Sequence, residues 1–231
     1  MTNYKCIFFD LDHTLWDYET NSRETLQDLY NSYELQSRGV SNFDLFLGQF
    51  QSVNNELWHQ YDHGKITSDV IREERFKRIL SAFDAYEEKL SKDISYEYLV
   101  TCPVKGNLMP YAIETLNYLS EKYHLTVVTN GFEDIQHMKL NSTNILSYFR
   151  HIVTSQRAGH KKPAREIFDF ALAENSIANH EAVMIGDNLL TDISGARNAS
   201  IDTIFFNPDR ISHEENVNHE ITTLQELCAL L

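Results

Sequence analysis

The sequence is poor in the residues that break or staple a chain. Among its 231 residues there are 4 Pro, 8 Gly and 3 Cys. So little Pro and Gly excludes collagen-like and low-complexity chains, and 42% apolar with 12% aromatic residues excludes disorder. Cys6, Cys102 and Cys228 form no closely spaced pair, and one is left over in any pairing. The expectation is three packed free thiols in a reducing cytoplasm. Positive charge is scarce too: 20 Lys and Arg stand against 34 Asp and Glu, a net charge of −14. That field repels phosphate backbones and anionic lipid, which argues against a nucleic-acid polymer or a membrane surface as partner. No basic domain hides inside the average, because residues 16–102 hold 16 of the acids and 9 of the bases. The tightest basic cluster, Arg72, Arg75, Lys77 and Arg78, is interleaved with Glu73 and Glu74 and reads as a solvated helix face. Long apolar runs are missing as well. The opening stretch MTNYKCIFFD meets an acid before it can form a signal-peptide core or a membrane span.

What is present is an alternation. Short apolar runs rich in β-branched and aromatic residues occur at Cys6–Phe9, Leu125–Val128, Ile152–Val153, Ala182–Ile185 and Thr203–Phe206. They read as buried strands. Between them lie segments of helical spacing: Tyr111, Leu116 and Leu119; Ile135, Met138 and Leu140; Ile167, Phe168, Phe170, Ala171 and Leu172; Ile221, Leu224, Leu227 and Leu230. The pattern predicts an α/β fold, a doubly wound, Rossmann-like parallel sheet covered on both faces. Residues 16–102 differ, with no strand run but long amphipathic stretches through Leu26, Leu29, Tyr30 and Tyr33, then Phe43, Phe46, Leu47 and Phe50, then Val70, Ile71, Phe76, Ile79 and Leu80. They predict a helical domain inserted after the first strand, with a core domain made of 1–15 and 103–231. No internal repeat is visible.

In an open parallel α/β sheet ligands bind beyond the carboxyl ends of the strands, so the residues following each run are where chemistry is expected. The first run ends in Asp10-Leu11-Asp12-His13-Thr14, the second in Thr129-Asn130-Gly131, and the fourth in Gly186-Asp187 with Asp192 five residues on. Lys161-Lys162-Pro163 follows the third. If those strands are neighbours, up to four carboxylates share one site, a crowding that calls for a cation. An all-oxygen donor set suits a hard ion, Mg2+ by preference, and lacks the His and Cys that zinc prefers. Thr129 and the backbone N–H groups of Asn130 and Gly131 can donate to an oxyanion, and Lys162 offers a point charge to phosphate. Acid, metal and cationic donor together describe phosphoryl transfer.

These residues, in this order and spacing, resemble the four motifs of the haloacid-dehalogenase superfamily of phosphohydrolases, over nearly the whole chain. The resemblance implies that Asp10 is a nucleophile forming an aspartyl-phosphate, and that Asp12 is general acid for the leaving group and then base for water. It implies Mg2+ held by Asp10, the backbone carbonyl of Asp12 and Asp187, with Asp192 binding through water or orienting its loop, and Thr129, Asn130 and Lys162 at the phosphoryl group. A second Asp sets the chain apart from true dehalogenases, which have no leaving-group oxygen to protonate. The insertion resembles the family's C1 cap, expected to close over the site about Thr14–Tyr18 and Thr101–Gly106. Asn54 to Ser68 with Arg75-Phe76, Thr129-Asn130-Gly131-Phe132 and Ile167 to Leu172 resemble the bacterial pyrimidine 5′-nucleotidase branch. The expected substrate is therefore a nucleoside monophosphate, and the expected state a cytoplasmic monomer or homodimer. Two positions depart from the family pattern: His13 replaces a small or acidic residue, and Ser200 stands where Gly is usual, which asks for a different turn.

Other readings of the same residues remain. A sugar-phosphate phosphatase or a β-phosphoglucomutase-like phosphomutase shares the second Asp and the cap. A phospho-Asp signalling module combines Asp, Thr and Lys about Mg2+, but predicts adjacent acids on strand one and a chain about half as long. Asp192 could cap a helix, and Lys161 competes with Lys162. His59 and His63 have metal-ligand spacing without a third ligand, so surface histidines are expected. Trp58, Tyr61 and Phe76 could stack on a base, though packing is expected of at least two.

Overall fold

The computed structural model describes residues 4–231, which form two compact units, one of residues 4–18 with Gly106–Leu231 and one of Glu19–Lys105. The first is built on a six-stranded parallel sheet with the order β3-β2-β1-β4-β5-β6. The strands are β1 (Cys6–Phe9), β2 (His124–Thr129), β3 (Phe149–Thr154), β4 (Ala182–Gly186), β5 (Asp202–Phe206) and β6 (His219–Ile221). Every residue of β1 and β4 is buried, as expected of central strands covered on both faces.

Five strands lie where the apolar runs predict them. The sixth was not predicted, because His219 and Glu220 are exposed and only Ile221 is buried. An edge strand needs no apolar run, since one ladder to Ile204, Phe205 and Phe206 holds it. Ile221 therefore belongs to a strand, and the helical spacing from Ile221 to Leu230 is corrected to a short 3-10 turn at Leu224–Glu226 followed by Leu227–Leu230.

Glu19–Lys105, with Tyr18 at its boundary, carries α1 (Tyr18–Ser32), α2 (Phe43–Asp62), α3 (Ser68–Ser81) and α4 (Glu88–Thr101). Asn42 caps α2 by accepting the Leu45 N–H at 2.9 Å. The inner faces pack aromatic rings: Phe50, Phe76 and Tyr98 lie with centroids 5.3–6.0 Å apart. Helix α4 escapes an apolar count because its buried face includes Ser91 and Tyr98 beside Leu90 and Ile94. The basic cluster of α3 is a solvated face, with Lys77 on Glu74 and Arg78 on Glu74 and Glu56. Arg75 is the exception, buried with its guanidinium over the rings of Phe50 and Tyr98. Tyr61 and Phe76 are buried.

The sheet unit continues with α5 (Ala112–Ser120), α6 (Glu133–Ser142), α7 (Ser155–Ala158), α8 (Arg165–Asn175), α9 (Gly195–Asn198) and α10 (Leu227–Leu230). Residues alternate across the sheet, so Cys6, Phe8, Val128 and Met184 meet Ile167, Phe168, Ala171 and Leu172 of α8 and Ala196 of α9 in one core. Cys6 is wholly buried there, and burial pushes its thiol up to about 11, leaving it inert. All three cysteines are free. Ser200 adopts φ 58, the left-handed backbone that Gly takes without strain, so the turn before β5 keeps a glycine conformation without a glycine. No helix among the described residues is long and apolar enough to cross a membrane.

Candidate active site

Chain order reverses about β1, with β2 and β3 on one side and β4, β5 and β6 on the other. In such a sheet a crevice opens at the carboxyl ends beside the reversal. Phe9 pairs with Ile185, and the Asp10 N–H donates to the Ile185 carbonyl at 2.9 Å, so Asp10 leaves β1 beside Gly186 and Asp187. Carboxylate oxygens of Asp10, Asp187 and Asp192 all lie within 4.8 Å of one another. The Lys162 ammonium sits between two of them, donating to Asp10 Oδ1 and Asp192 Oδ1 at 2.6 Å each. Lys162 is 2% exposed, whereas Lys161 is half-buried, so it is Lys162 that enters the cluster.

Asp192 does not cap its helix. Asn188 does, accepting the N–H groups of Leu190 and Thr191 at 3.0 Å at the start of the π-helical turn Leu189–Ser194. Asp192, fully buried, instead accepts the Asn188 N–H on Oδ2 at 3.0 Å and Lys162 on Oδ1. Gly186 makes room for it: a Cβ there would stand 2.3 Å from Asp192 Oδ2 and 2.7 Å from its Cβ. Thr14, a motif residue with no role expected of it, donates its hydroxyl to Asp187 Oδ1 at 3.0 Å.

Two buried carboxylates, Asp10 and Asp192, and the half-buried Asp187 face one ammonium, so the cluster is electrostatically unfinished. Burial, opposed by Lys162 and reinforced by Asp192 and Asp187, pushes Asp10 up to about 8. Burial and the neighbouring Asp192 push Asp187 up to about 7, against the Thr14 hydrogen bond. Lys162, though burial opposes its charge, is held above the ordinary lysine value by Asp10 and Asp192. All-oxygen donors from two loops, with negative charge left over, fit a hard divalent cation. His59 and His63 do not compete for it, since both are exposed and the His63 Nδ1 lies against the His59 carbonyl at 2.7 Å.

The two acids of the first loop have different surroundings. Asp12 accepts the Lys139 ammonium on Oδ1 at 2.5 Å and the Gln136 amide on Oδ2 at 3.1 Å. Burial raises the pKa of Asp12, but the Lys139 charge and hydrogen bond outweigh it and hold the carboxyl below the usual range. Neither α6 residue was a predicted site residue. Of the apolar spacing expected there, Ile135, Met138 and Leu140, only Leu140 is buried, and it shares the inward face with Gln136 and Lys139. Nothing in the local pattern marks a Lys 127 positions after its partner; the one cue is Gln and Lys three apart in an otherwise ordinary amphipathic helix.

Thr129 ends β2, 2% exposed, and its hydroxyl oxygen accepts the Gly131 N–H at 3.0 Å. A hydroxyl that accepts there keeps its own proton for an anion. The Asn130 side chain clamps the next loop, donating to the Lys162 carbonyl at 2.9 Å and accepting the Lys162 N–H at 2.8 Å. Asn130 thus fixes the backbone that carries the Lys162 ammonium.

The family model of the haloacid dehalogenase-like hydrolases matches residues 7–206. The pyrimidine 5′-nucleotidase YjjG of Escherichia coli is 29% identical over 228 residues, covering 97% of this chain and 96% of that protein. The pyrimidine 5′-nucleotidase PynA of Streptococcus pneumoniae is 28% identical over 228 residues, 97% of this chain and 93% of that one. Among solved structures, the HAD-hydrolase YfnB of Bacillus subtilis bound to magnesium superposes with a TM-score of 0.86 at 25% identity, covering 99% of this chain and 98% of that chain.

Proposed function

The chain belongs to the haloacid dehalogenase-like hydrolase family, and from that premise we propose that it is a Mg2+-dependent phosphomonoesterase acting on nucleoside 5′-monophosphates through an aspartyl-phosphate. The observation that carries this reading is the division of the first loop. Asp10 shares a carboxylate cluster with Asp187, Asp192 and Lys162, whereas Asp12, two residues on, is bound by a separate pair of donors. Asp10, which a bound cation would keep ionised against burial, can then serve as nucleophile, and the separately held Asp12 as proton carrier.

Asp10, Asp187 and the Asp12 carbonyl would hold the cation, with Asp192 orienting the loop and bracing Lys162. Bound there, Mg2+ would neutralise the carboxylates and polarise a phosphoryl oxygen. In the first step an Asp10 oxygen bonds to phosphorus as the ester O–P bond breaks, and Asp12 passes a proton to the departing oxygen. In the second, Asp12 takes a proton from water as the water oxygen bonds to phosphorus and the Asp10–P bond breaks. Thr129 and Lys162 meet the negative oxygens of the phosphoryl group in both. The helical unit Glu19–Lys105 is assigned the choice of substrate. The nucleotidase names of two relatives, each aligned over 97% of this chain, support the nucleotide.

The test is phosphate release from a phosphomonoester panel with Mg2+, comparing kcat/KM for dTMP and UMP with hexose phosphates, and Asp10→Asn as control. Nucleotides should lead the panel, and Asp10→Asn should fall to background, a loss of at least ~10^4 given how far covalent catalysis depends on its nucleophile. An inert wild-type protein, or an active Asp10→Asn, overturns the phosphatase reading. A preference for hexose phosphates overturns only the nucleotide.

A further inference from the structure

Helix α6 turns polar groups inward where its packing calls for apolar ones. Gln136 is 1% and Lys139 5% exposed, one turn apart on the same face. A buried ion pair is weak evidence for stability, since apolar side chains of similar volume hold a fold as well or better. Gln136 even leaves its buried Oε1 without a hydrogen-bond partner among the described residues, which a purely structural glutamine would avoid.

What the two residues share is Asp12. Lys139 Nζ lies 2.5 Å from Oδ1 and Gln136 Nε2 lies 3.1 Å from Oδ2. With a donor on each oxygen, rotation of the carboxyl group about its last bond is stopped. The ammonium is held in turn by the ring of Trp16, whose centroid is 4.3 Å away. Room for the amide comes from Gly131, where a Cβ would stand 1.7 Å from Gln136 Nε2. Each carboxylate oxygen has two lone-pair directions, so these donors leave one on each for a reacting oxygen.

We propose that Lys139 and Gln136 are positioning residues that aim the Asp12 carboxyl at the leaving oxygen. This rests on the reading of Asp12 as the proton carrier, and it adds residues from a helix that contributes no other group to the cluster. A group that acts by aiming a proton donor affects only reactions that need the proton. An alkyl phosphate needs one, because an alkoxide is a poor leaving group. A p-nitrophenyl phosphate does not, because p-nitrophenolate departs unassisted.

The test measures kcat/KM, which reports the step in which the leaving group departs, for UMP and for p-nitrophenyl phosphate. The proteins are wild type, Asp12→Asn, Lys139→Met, Lys139→Arg and Gln136→Met, each checked for folding by its melting temperature. Lys139→Met should lower kcat/KM for UMP at least about tenfold more than for p-nitrophenyl phosphate, part of the 10²–10⁴ expected of a positioned acid. Gln136→Met, which keeps the ion pair, should show the same selectivity more weakly and stands in if Lys139→Met fails to fold. Lys139→Arg should recover most of the loss on UMP. Equal losses on both substrates, or none, in Lys139→Met and Gln136→Met beside a selective loss in Asp12→Asn, overturn the positioning role and leave Asp12 as proton carrier. If Asp12→Asn itself loses both substrates equally, the proton-carrier reading and this inference fall together.

Discussion

Glycine 186 shows how a single hydrogen atom conditions the site. Its missing side chain lets the Asp192 carboxylate lie against the end of β4, and a methyl there would meet both the carboxylate and its Cβ. The carboxylate could rotate, but a 2.7 Å contact with a Cβ moves only with the backbone. Gly186→Ala should therefore lose more than about 2 kcal/mol in urea denaturation, as overpacking adds to a broken buried network. It should lose phosphatase activity with it; wild-type stability and activity would show that the loop yields more easily than the contacts suggest. At this scale Asp10, Asp12, Asp187 and Thr129 were legible because each follows a short apolar run by one to three residues, and a parallel sheet puts all such positions on one edge. Lys162 stands nine residues beyond its run and was legible by its place in the motif order. Asn130 was legible as a site residue but not in its task, since only the folded loops show its amide holding the backbone of Lys162.

At the scale of elements, strands β1 to β5 announce themselves because the residues of each apolar run are buried on both faces. Helix α8 does so because Ile167, Phe168, Ala171 and Leu172 make one stripe against the sheet. Phe168 is central to it, and Gly195 of α9 comes so close that a Cβ there would lie 2.8 Å from the Phe168 ring. Phe168→Ala should lose about 3–5 kcal/mol of unfolding free energy, read from denaturant midpoints, because helix and sheet cannot close fully over the space left. A loss under about 1 kcal/mol, within what a surface substitution gives, would show that this core repacks. Strand β6 and helix α4 were not legible, for opposite reasons. One is held by backbone pairing at an edge, and the other buries Ser and Tyr along with its aliphatic residues. Helix α6 was legible only in part, at Leu140, for a third reason: Gln136 and Lys139 turn inward beside it to meet an anionic partner, Asp12.

For the whole molecule, a net charge of −14 coexists with a site proposed to bind an anion. The cluster of Asp10, Asp187 and Asp192 offers a place where a cation would reverse the local field. Filling it should stabilise the folded chain by mass action, about 2.7 kcal/mol at Mg2+ 100-fold above its Kd. For a chain of this size that is roughly 5–10 °C in Tm, read by thermal melting with Mg2+ against a chelator. The shift should vanish in Asp187→Asn, and no shift in the wild type would count against a resident cation. The sequence by itself determined the class of fold, the order of the strands along the chain and the chemistry waiting at their ends. All three follow from local periodicity and from the rule that parallel strands point one way. The tertiary structure alone decided that Lys162 and not Lys161 enters the cluster, that Asn188 and not Asp192 caps its turn, and that Asp12 meets Lys139. The first and the last depend on surfaces that meet across more than a hundred residues of chain, a distance that leaves no period to read, and the second on Lys162, from a different loop, drawing Asp192 away.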